Sequence, residues 1–243
     1  MRMLTFAKRN FKEIVRDPLN LSFLFGFPVV LLLLLSAIQA NIPVDMFAIH
    51  HLAPGVSVFG LAFMTLFSAT LIAKDRRSSF MHRLYTTPMT SRDFILGYTL
   101  PLLPIALAEG VACYVFAWIL GLDLSVNILL ALVFLLPVAL LYVSIGLLCG
   151  SVLNDKQVGG ICGALLTNVS AWLSGIWFDL DLVGGAFKRA AYLLPFVHAV
   201  EMERAALLGD LSSALPHLAW VLGYGIVLTA LAILLFLRQM KKQ

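Results

Sequence analysis

The sequence predicts an all-α membrane protein with six transmembrane helices. Of its 243 residues, 61% are hydrophobic and only 12% are charged, and the mean hydropathy is +0.96. A soluble domain of this length needs more polar surface to cover its core. The apolar residues form long continuous runs rather than an alternating pattern, which favours helices over a barrel.

Each predicted transmembrane helix is a run of about 20 apolar residues, the length that crosses a hydrocarbon layer of about 30 Å. The six runs are residues 21–39, 53–73, 94–120, 126–150, 158–178 and 216–237, within one transmembrane domain at 1–243. The third is long enough to be kinked, and Pro101 and Pro104 provide a cause. The first is expected to be a permanent span, because its charged leader is too long for a signal peptide.

The distribution of lysine and arginine predicts the orientation of these helices. All but three of the 17 basic residues lie in the N-terminal segment, in the loop at 74–93, after the fourth run and after the sixth. The opposite side carries Lys188, Arg189 and Arg204, diluted by acidic residues. Both termini are therefore expected in the cytoplasm. The protein itself is expected in the plasma membrane of a bacterial cell. The net charge of +4 is interpreted as an orientation signal and not as a nucleic-acid site.

The first 17 residues are predicted to form an amphipathic helix in the plane of the lipid headgroups. Its apolar side chains recur at intervals of three or four residues and are Leu4, Ala7, Phe11, Ile14 and Val15. Its basic side chains lie on the other face and are Lys8, Arg9, Lys12 and Arg16. Asp17-Pro18 ends the helix. A topogenic anchor and a mechanical part are both open interpretations.

The loop at 74–93 is longer than a reversal of chain direction requires. A short helix is predicted at 78–85, and Thr86-Thr87-Pro88 ends it. Ser91-Arg92-Asp93 supplies N-cap chemistry for the next helix. A basic surface helix that also carries apolar side chains is suited to a groove on a soluble partner. A solvated positive patch is the alternative, but it does not explain exposed Phe80, Met81 and Tyr85.

Two segments resemble the ABC-2 type transporter permeases. "FMHRLYTTPMTSRDFILGY", residues 80–98, is similar to their cytoplasmic segment, in which an arginine-leucine pair precedes two threonines and a proline. "LLPFVHAVEMERAALLGD", residues 193–210, is similar to their external segment before the last span. Many relatives have an acidic residue shortly before the arginine-leucine pair, where this chain has Ser79-Phe80-Met81-His82.

The resemblance implies the permease half of an ATP-driven exporter of a hydrophobic or amphipathic compound, such as a drug, a lipid-linked molecule or a peptide. The implied partners are two copies of a cytoplasmic ABC ATPase, a second permease (an identical copy or a close sibling) and the lipid bilayer. The chain has no G-x-x-x-x-G-K-[ST] loop. No cofactor is therefore expected on this chain, and ATP and Mg²⁺ are expected on the ATPase.

The resemblance also implies which residues contact the ATPase. The predicted coupling residues are Arg76, Arg77, Phe80, Met81, Arg83, Leu84, Tyr85, Thr86, Thr87 and Pro88. The predicted contacts on the N-terminal helix are Lys8, Phe11, Lys12 and Arg16.

Polar and aromatic residues within the runs are candidates for the substrate path. Glu109 is an acidic residue well inside a run, where a charge costs about 2.5–3.5 kcal/mol on insertion scales. A cation site, a proton site, a helix-steering contact and a neutral structural acid all remain open for it. The second and fifth spans line the path in the family. The implied path residues are therefore Phe59, Phe63 and Phe67 of the second run and Asn168 and Trp172 of the fifth. Glu109 of the third run is a further candidate because of its position inside the run.

The external segment 179–215 is too long for a turn, and Gly184-Gly185 and Pro195 are predicted to divide it into two short helices. The resemblance implies an external gate formed by His198, Glu201 and Arg204. Glu201 and Arg204 are three residues apart and can pair on a helix. The GxxxG patterns at Gly146 and Gly159 predict close helix packing within the subunit, with dimerisation as the alternative.

Two other functions are weighed against the permease interpretation, and one other cargo class is weighed within it. A proton-coupled secondary transporter would use Glu109, but the sequence shows no inverted repeat and such a carrier would not need the helix at 78–85. A membrane enzyme lacks any nucleophile–base or metal-binding pattern here. A polysaccharide or glycolipid exporter of the same family remains an alternative cargo class.

Overall fold

The computed structural model describes residues 2–43, 45–78 and 90–240, and these ranges contain helices and no strand. The all-α class is therefore confirmed. In chain order the helices are α1 (Arg2–Val15), α2 (Pro18–Gln39), α3 (Ile49–Arg77), α4 (Ser91–Thr99 and Leu102–Ile119), α5 (Asn127–Val152), α6 (residues 155–173), α7 (Leu180–Val183), α8 (Gly185–Leu193), α9 (Pro195–Leu208) and α10 (Leu211–Met240).

Within the described part of the chain, five helices are long and apolar enough to cross a membrane, namely α2, α3, α4, α5 and α10. Helix α6, at the predicted fifth run, is not among them. It begins with the polar residues Asp155-Lys156-Gln157 and ends at Leu173. Gly175, with a φ of 72°, turns the chain before Ile176 can extend the helix. The sixth crossing stays a prediction.

Prolines and N-cap residues set the boundaries of α2 and α4. The Asp17 side chain accepts a hydrogen bond from the Asn20 amide at 3.2 Å, and Pro18 begins α2. Helix α4 is interrupted at Leu100-Pro101, where a kink was predicted. The N-cap of α4 is Thr90, one residue earlier than predicted, and it forms a capping box with Asp93.

Helix α3 lies at the centre of the bundle and is buried along most of its length. Its closest neighbour is α5, whose Gly146 and Gly150 lie directly against the α3 backbone and Ser68. Ser68 and Thr65 of α3 also donate hydrogen bonds to α5 carbonyls. The first GxxxG pattern therefore packs within the subunit. In the second pattern, Gly159 has open space beside it.

The outer surface of the bundle is apolar, as a lipid environment requires. Helices α2 and α10 leave most of their surface outside the bundle. Their exposed large side chains include Val30, Leu34, Ile226, Val227 and Leu234.

The segment 179–215, which is predicted to be external, folds into α7, α8 and α9, and its last residues begin α10. Gly184 lies at a φ of 60° between α7 and α8, and Pro195 begins α9. Helix α9 is almost wholly buried against α3, α5 and α10. Gly209, with a φ of 77°, ends α9. Hydrogen bonds from Ser212 and Ser213 lower the pKa of Asp210 to about 2, so this acid is ionised at neutral pH beside the start of α10.

Candidate functional site

A network of side-chain hydrogen bonds joins α1, α3 and α4 at the end of the bundle where the loop 79–89 begins and ends. Asp75, in the last turns of α3, is 2% exposed. Its Oδ2 and Oδ1 accept hydrogen bonds from Arg9 Nη1 at 2.6 Å and Nη2 at 2.8 Å. Its Oδ2 also accepts one from the Tyr98 hydroxyl at 2.7 Å. A carboxylate with three donors is well satisfied in a buried position. We call Arg9, Asp75 and Tyr98 the junction.

Packing reinforces the junction on the α4 side. Asn10 is fully buried, and its Nδ2 donates to the Gly97 carbonyl at 2.9 Å. The Phe6 ring lies edge-on to Tyr98 with 5.0 Å between ring centroids. A methyl group on Gly97 would overlap the Phe6 ring, so glycine is what allows α1 to approach α4 this closely.

The packed face of α1 differs from the predicted apolar face. Phe6, Ala7, Asn10 and Ile14 are buried, whereas Leu4, Phe11 and Val15 are exposed. The prediction used apolar residues alone and could not foresee that a hydrogen bond to Gly97 would bury Asn10. The predicted contact residues Lys8, Phe11, Lys12 and Arg16 all lie exposed on the outer faces of α1.

Of the predicted coupling residues, the structure describes Arg76 and Arg77. Arg76 Nη1 donates to the Gly150 carbonyl at 2.8 Å and to the Leu153 carbonyl at 3.3 Å, so it caps the C-terminal end of α5. Arg77 is exposed and lies 3.4 Å from Asp155 at the start of α6. The other predicted coupling residues lie outside the described residues, namely Phe80, Met81, Arg83, Leu84, Tyr85, Thr86, Thr87 and Pro88.

The predicted path residues separate into an inward and an outward set. Phe59, Phe63 and Phe67 are buried. Phe27 of α2 packs against Phe59 and Phe63 with centroid distances of 5.9 Å and 5.8 Å. In contrast, Trp172 is 59% exposed and Asn168 is also exposed, on the outer face of α6.

Glu109 is fully buried where α4 faces Gly60 of α3 and Pro28 of α2. Its Oε1 accepts a hydrogen bond from Cys113 Sγ at 3.1 Å. Its Oε2 has no hydrogen-bond partner among the described residues. Glu109 therefore lies inside the protein and not against lipid, as the cost of a charge in hydrocarbon leads one to expect.

The three predicted gate residues do not form one group. Arg204 Nη1 lies 2.8 Å from Glu201 Oε1, and Arg204 Nη2 donates to the Gly175 carbonyl at 3.1 Å. Arg204 thus links α9 to the chain just after α6. His198 points towards α10 instead: its Nε2 donates to the Tyr192 carbonyl at 3.0 Å, so its Nδ1 accepts from His217 Nδ1 at 2.8 Å.

A cavity of about 550 Å³ opens beside Arg204 on the external segment. Its polar lining includes Asp45, His51, Asp179, Glu201 and Arg204. His198 is not part of that lining. In the described ranges, no three His, Cys, Asp or Glu side chains are grouped to hold a metal ion.

Three residues of these sites were not predicted from the sequence. Asp75 and Tyr98 belong to the junction. Glu203 is a second fully buried glutamate and accepts a hydrogen bond from Tyr114. A single acid within the basic stretch Lys74–Arg77 was the available signal for Asp75. Glu203 gave none, because in the sequence it stands between Glu201 and Arg204, which pair with each other.

The sequence model of the ABC-2 type transporter family matches residues 1–208. The chain belongs to the ABC-2 type transporter family. It is accordingly a transmembrane subunit of a transporter, and its long apolar helices and the segments between them are parts of a permease. A comparison with curated protein sequences gave no match to this permease.

Proposed function

We propose that the permease exports a hydrophobic or amphipathic compound, together with a second permease and two cytoplasmic ABC ATPase subunits that bind ATP and Mg²⁺. The observation that carries this proposal is the junction. Arg9, Asp75 and Tyr98 tie the N-terminal helix to both helices that the loop 79–89 connects. A partner that moves this loop would therefore move three helices together.

The connection extends further into the bundle. Arg76 binds the last carbonyls of α5, and Arg77 lies near Asp155 of α6. Closure of an ATPase pair against the loop would thus be passed to α3, α4, α5 and the start of α6. The partner surface consists of the exposed faces of α1, with Lys8, Phe11, Lys12 and Arg16, and of the predicted helix at 78–85. This arrangement has both termini in the cytoplasm and the protein in the cell membrane.

The path for the compound lies at the outer face of α6, where Asn168 and Trp172 are exposed. A second permease that packs against this face would enclose a path that the single chain leaves open. Phe59, Phe63 and Phe67 would reach the compound only if α2 moved away from α3. On the external side, the contact between Arg204 and the Gly175 carbonyl acts as the closing element of the gate.

The test is purification of the tagged full-length chain from its own membranes, followed by photolabelling with 8-azido-ATP. We expect the label on a co-purified soluble subunit whose peptides contain a phosphate-binding loop, and none on the permease itself. Ethidium efflux from vesicles that contain both proteins should require ATP and should stop with vanadate. Ethidium efflux driven by a pH gradient, from vesicles that contain the permease alone, would refute the proposal.

A further inference from the structure

Two glutamates from different helices are buried together, and neither has a basic partner among the residues that the structure describes. Glu109 of α4 and Glu203 of α9 are each 0% exposed. Glu203 Oε1 accepts a hydrogen bond from the Tyr114 hydroxyl at 2.7 Å, and Glu109 Oε1 accepts one from Cys113 Sγ at 3.1 Å. The second oxygen, Oε2, of each carboxyl has no hydrogen-bond partner within the described residues.

In the described part of the chain, no positively charged side chain contacts the two carboxyls. Helix α3 contributes Gly60, where a methyl group would overlap the Glu109 carboxyl, and Ser57, whose hydroxyl donates a hydrogen bond to the Pro54 carbonyl at 2.9 Å. Helix α2 contributes Pro28. The titratable groups that interact with the two glutamates are Cys113 and Tyr114, both on α4, and the glutamates themselves. Cys113 and Tyr114 are consecutive residues of α4, so their hydrogen bonds to Glu109 and Glu203 hold the two carboxyls in the same region of the bundle.

Two ionised carboxylates cannot both be accommodated in such a place. An isolated buried charge is so costly that the group takes up a proton instead. A protonated carboxyl also gains an O–H donor, which gives an otherwise unpartnered Oε2 a role. Because the two acids interact, removal of a first proton makes the pair's remaining proton harder to remove.

We propose that Glu109 and Glu203 form a proton-binding site where α3, α4 and α9 meet, and that this site holds at least one proton at neutral pH. The ligand is the proton, and Tyr114 is the positioning residue that holds Glu203 towards α4. Proton binding by the two glutamates requires neither the exported compound nor the ATPase.

Dicyclohexylcarbodiimide, a hydrophobic reagent, adds to protonated carboxyls and gives a stable N-acylurea, so it reports on this site directly. The full-length permease in lipid nanodiscs is treated from about pH 5 to about pH 9, and the modified peptides are mapped by mass spectrometry. An exposed glutamate, with a pKa of about 4.3, is ionised over this range. We expect modification of Glu109 or Glu203 at neutral pH, and a decline only at higher pH.

Variants test whether the two acids share the site. In Glu203→Gln and in Glu109→Gln, the pH profile of the remaining glutamate should move down by about one pH unit or more, because its negatively charged neighbour is gone. Tyr114→Phe should move the Glu203 profile up, because it removes a hydrogen bond that favours the ionised form. Asp123→Asn, an exposed acid in the loop between α4 and α5, should change neither profile.

The proposal is overturned if neither glutamate is modified at neutral pH in the folded protein. It is also overturned if the profiles of the glutamine variants coincide with that of the wild type. Should one glutamine variant fail to elute as a folded protein, the other variant and Tyr114→Phe still decide the question.

Discussion

Arg9 and Asp75 form a two-point ion pair between residues 66 positions apart, with N–O distances of 2.6 Å and 2.8 Å. The Asp75 side chain is almost completely buried, whereas 37% of the Arg9 side chain is exposed. This pair is the direct connection between the N-terminal helix and the end of α3 that leads into the loop 79–89. It makes α1 part of the bundle and not merely an attachment to the lipid surface.

Arg9→Gln should therefore destabilise the protein more than loss of an exposed ion pair would. The substitution leaves the buried Asp75 carboxylate with Tyr98 as its remaining donor. The expected loss in the free energy of unfolding is about 1–3 kcal/mol, the range for hydrogen bonds to charged groups. The partial exposure of Arg9 keeps the loss below that of a fully buried pair. The measurement is thermal unfolding of the purified permease in nanodiscs, followed by near-UV circular dichroism.

The double variant Arg9→Gln/Asp75→Asn provides the control for this prediction. Because it removes both charges, it should be more stable than the sum of the single losses predicts, with a coupling energy of about 0.5–3 kcal/mol. Additive losses would show that the contact contributes nothing to stability.

Gly150→Ala should be destabilising although alanine is the better helix former. A Cβ atom at this position would lie 2.8 Å from the Ala69 carbonyl oxygen and 2.9 Å from the Ala69 Cα atom, both backbone atoms of α3 that cannot rotate away. Overpacking of this kind costs about 1–3 kcal/mol. Gly159→Ala is the matched control, because nothing lies within 4 Å of its added methyl group. Equal unfolding temperatures for the two variants would contradict the packing of α5 on α3.

The positions of most helices were predictable, because the length of an apolar run and the positions of prolines and glycines are local features of the sequence. The breaks at Pro101, Gly184 and Pro195 all fall where the sequence indicated them. The end of α6 was not predictable in this way. The run 158–178 is apolar enough in composition, but a positive φ at Gly175 ends the helix early.

The candidate sites were harder to predict, because they depend on which polar side chains find partners across the bundle. Asn10 was assigned to no face of α1, yet its amide is buried against Gly97. Arg76 was assigned to a partner protein, yet it caps α5. Glu203 differs from Glu201 only by its position on α9, and that decides between burial beside Tyr114 and pairing with Arg204. Helix periodicity does not contain this information.

Arg204→Gln should loosen the proposed external gate. The variant loses both the contact with Glu201 and the hydrogen bond to the Gly175 carbonyl. A loss of about 1–2 kcal/mol corresponds to a 5- to 30-fold larger open population. In a background without the three native cysteines, Ile176→Cys is buried beside Gly175, and its labelling by a membrane-impermeant maleimide should accelerate by roughly this factor.

Arg189→Gln is the matched control for the gate, since Arg189 is an exposed arginine of α8 in the same external segment. It should leave the labelling rate of Ile176→Cys unchanged. A rate in Arg204→Gln that matches the rate in Arg189→Gln would mean that the Gly175 contact does not hold the gate closed. Labelling from the cytoplasmic side alone would contradict the proposed orientation.

Leu84→Glu or Tyr85→Glu should separate ATP hydrolysis from transport. Both residues belong to the segment that is predicted to dock on the ATPase, where an apolar side chain inserted into a groove would be replaced by a charge that must be desolvated. Vanadate-sensitive ATPase activity of the complex should persist, whereas ethidium efflux should fall about tenfold or more. A tenfold fall corresponds to the loss of an apolar contact that contributes about 1.4 kcal/mol. Leu124→Glu, in the exposed loop between α4 and α5, carries the same chemical change on the opposite side and should retain efflux. Wild-type efflux in Leu84→Glu and Tyr85→Glu, with normal membrane insertion, would exclude this segment as the contact through which the ATPase drives the permease.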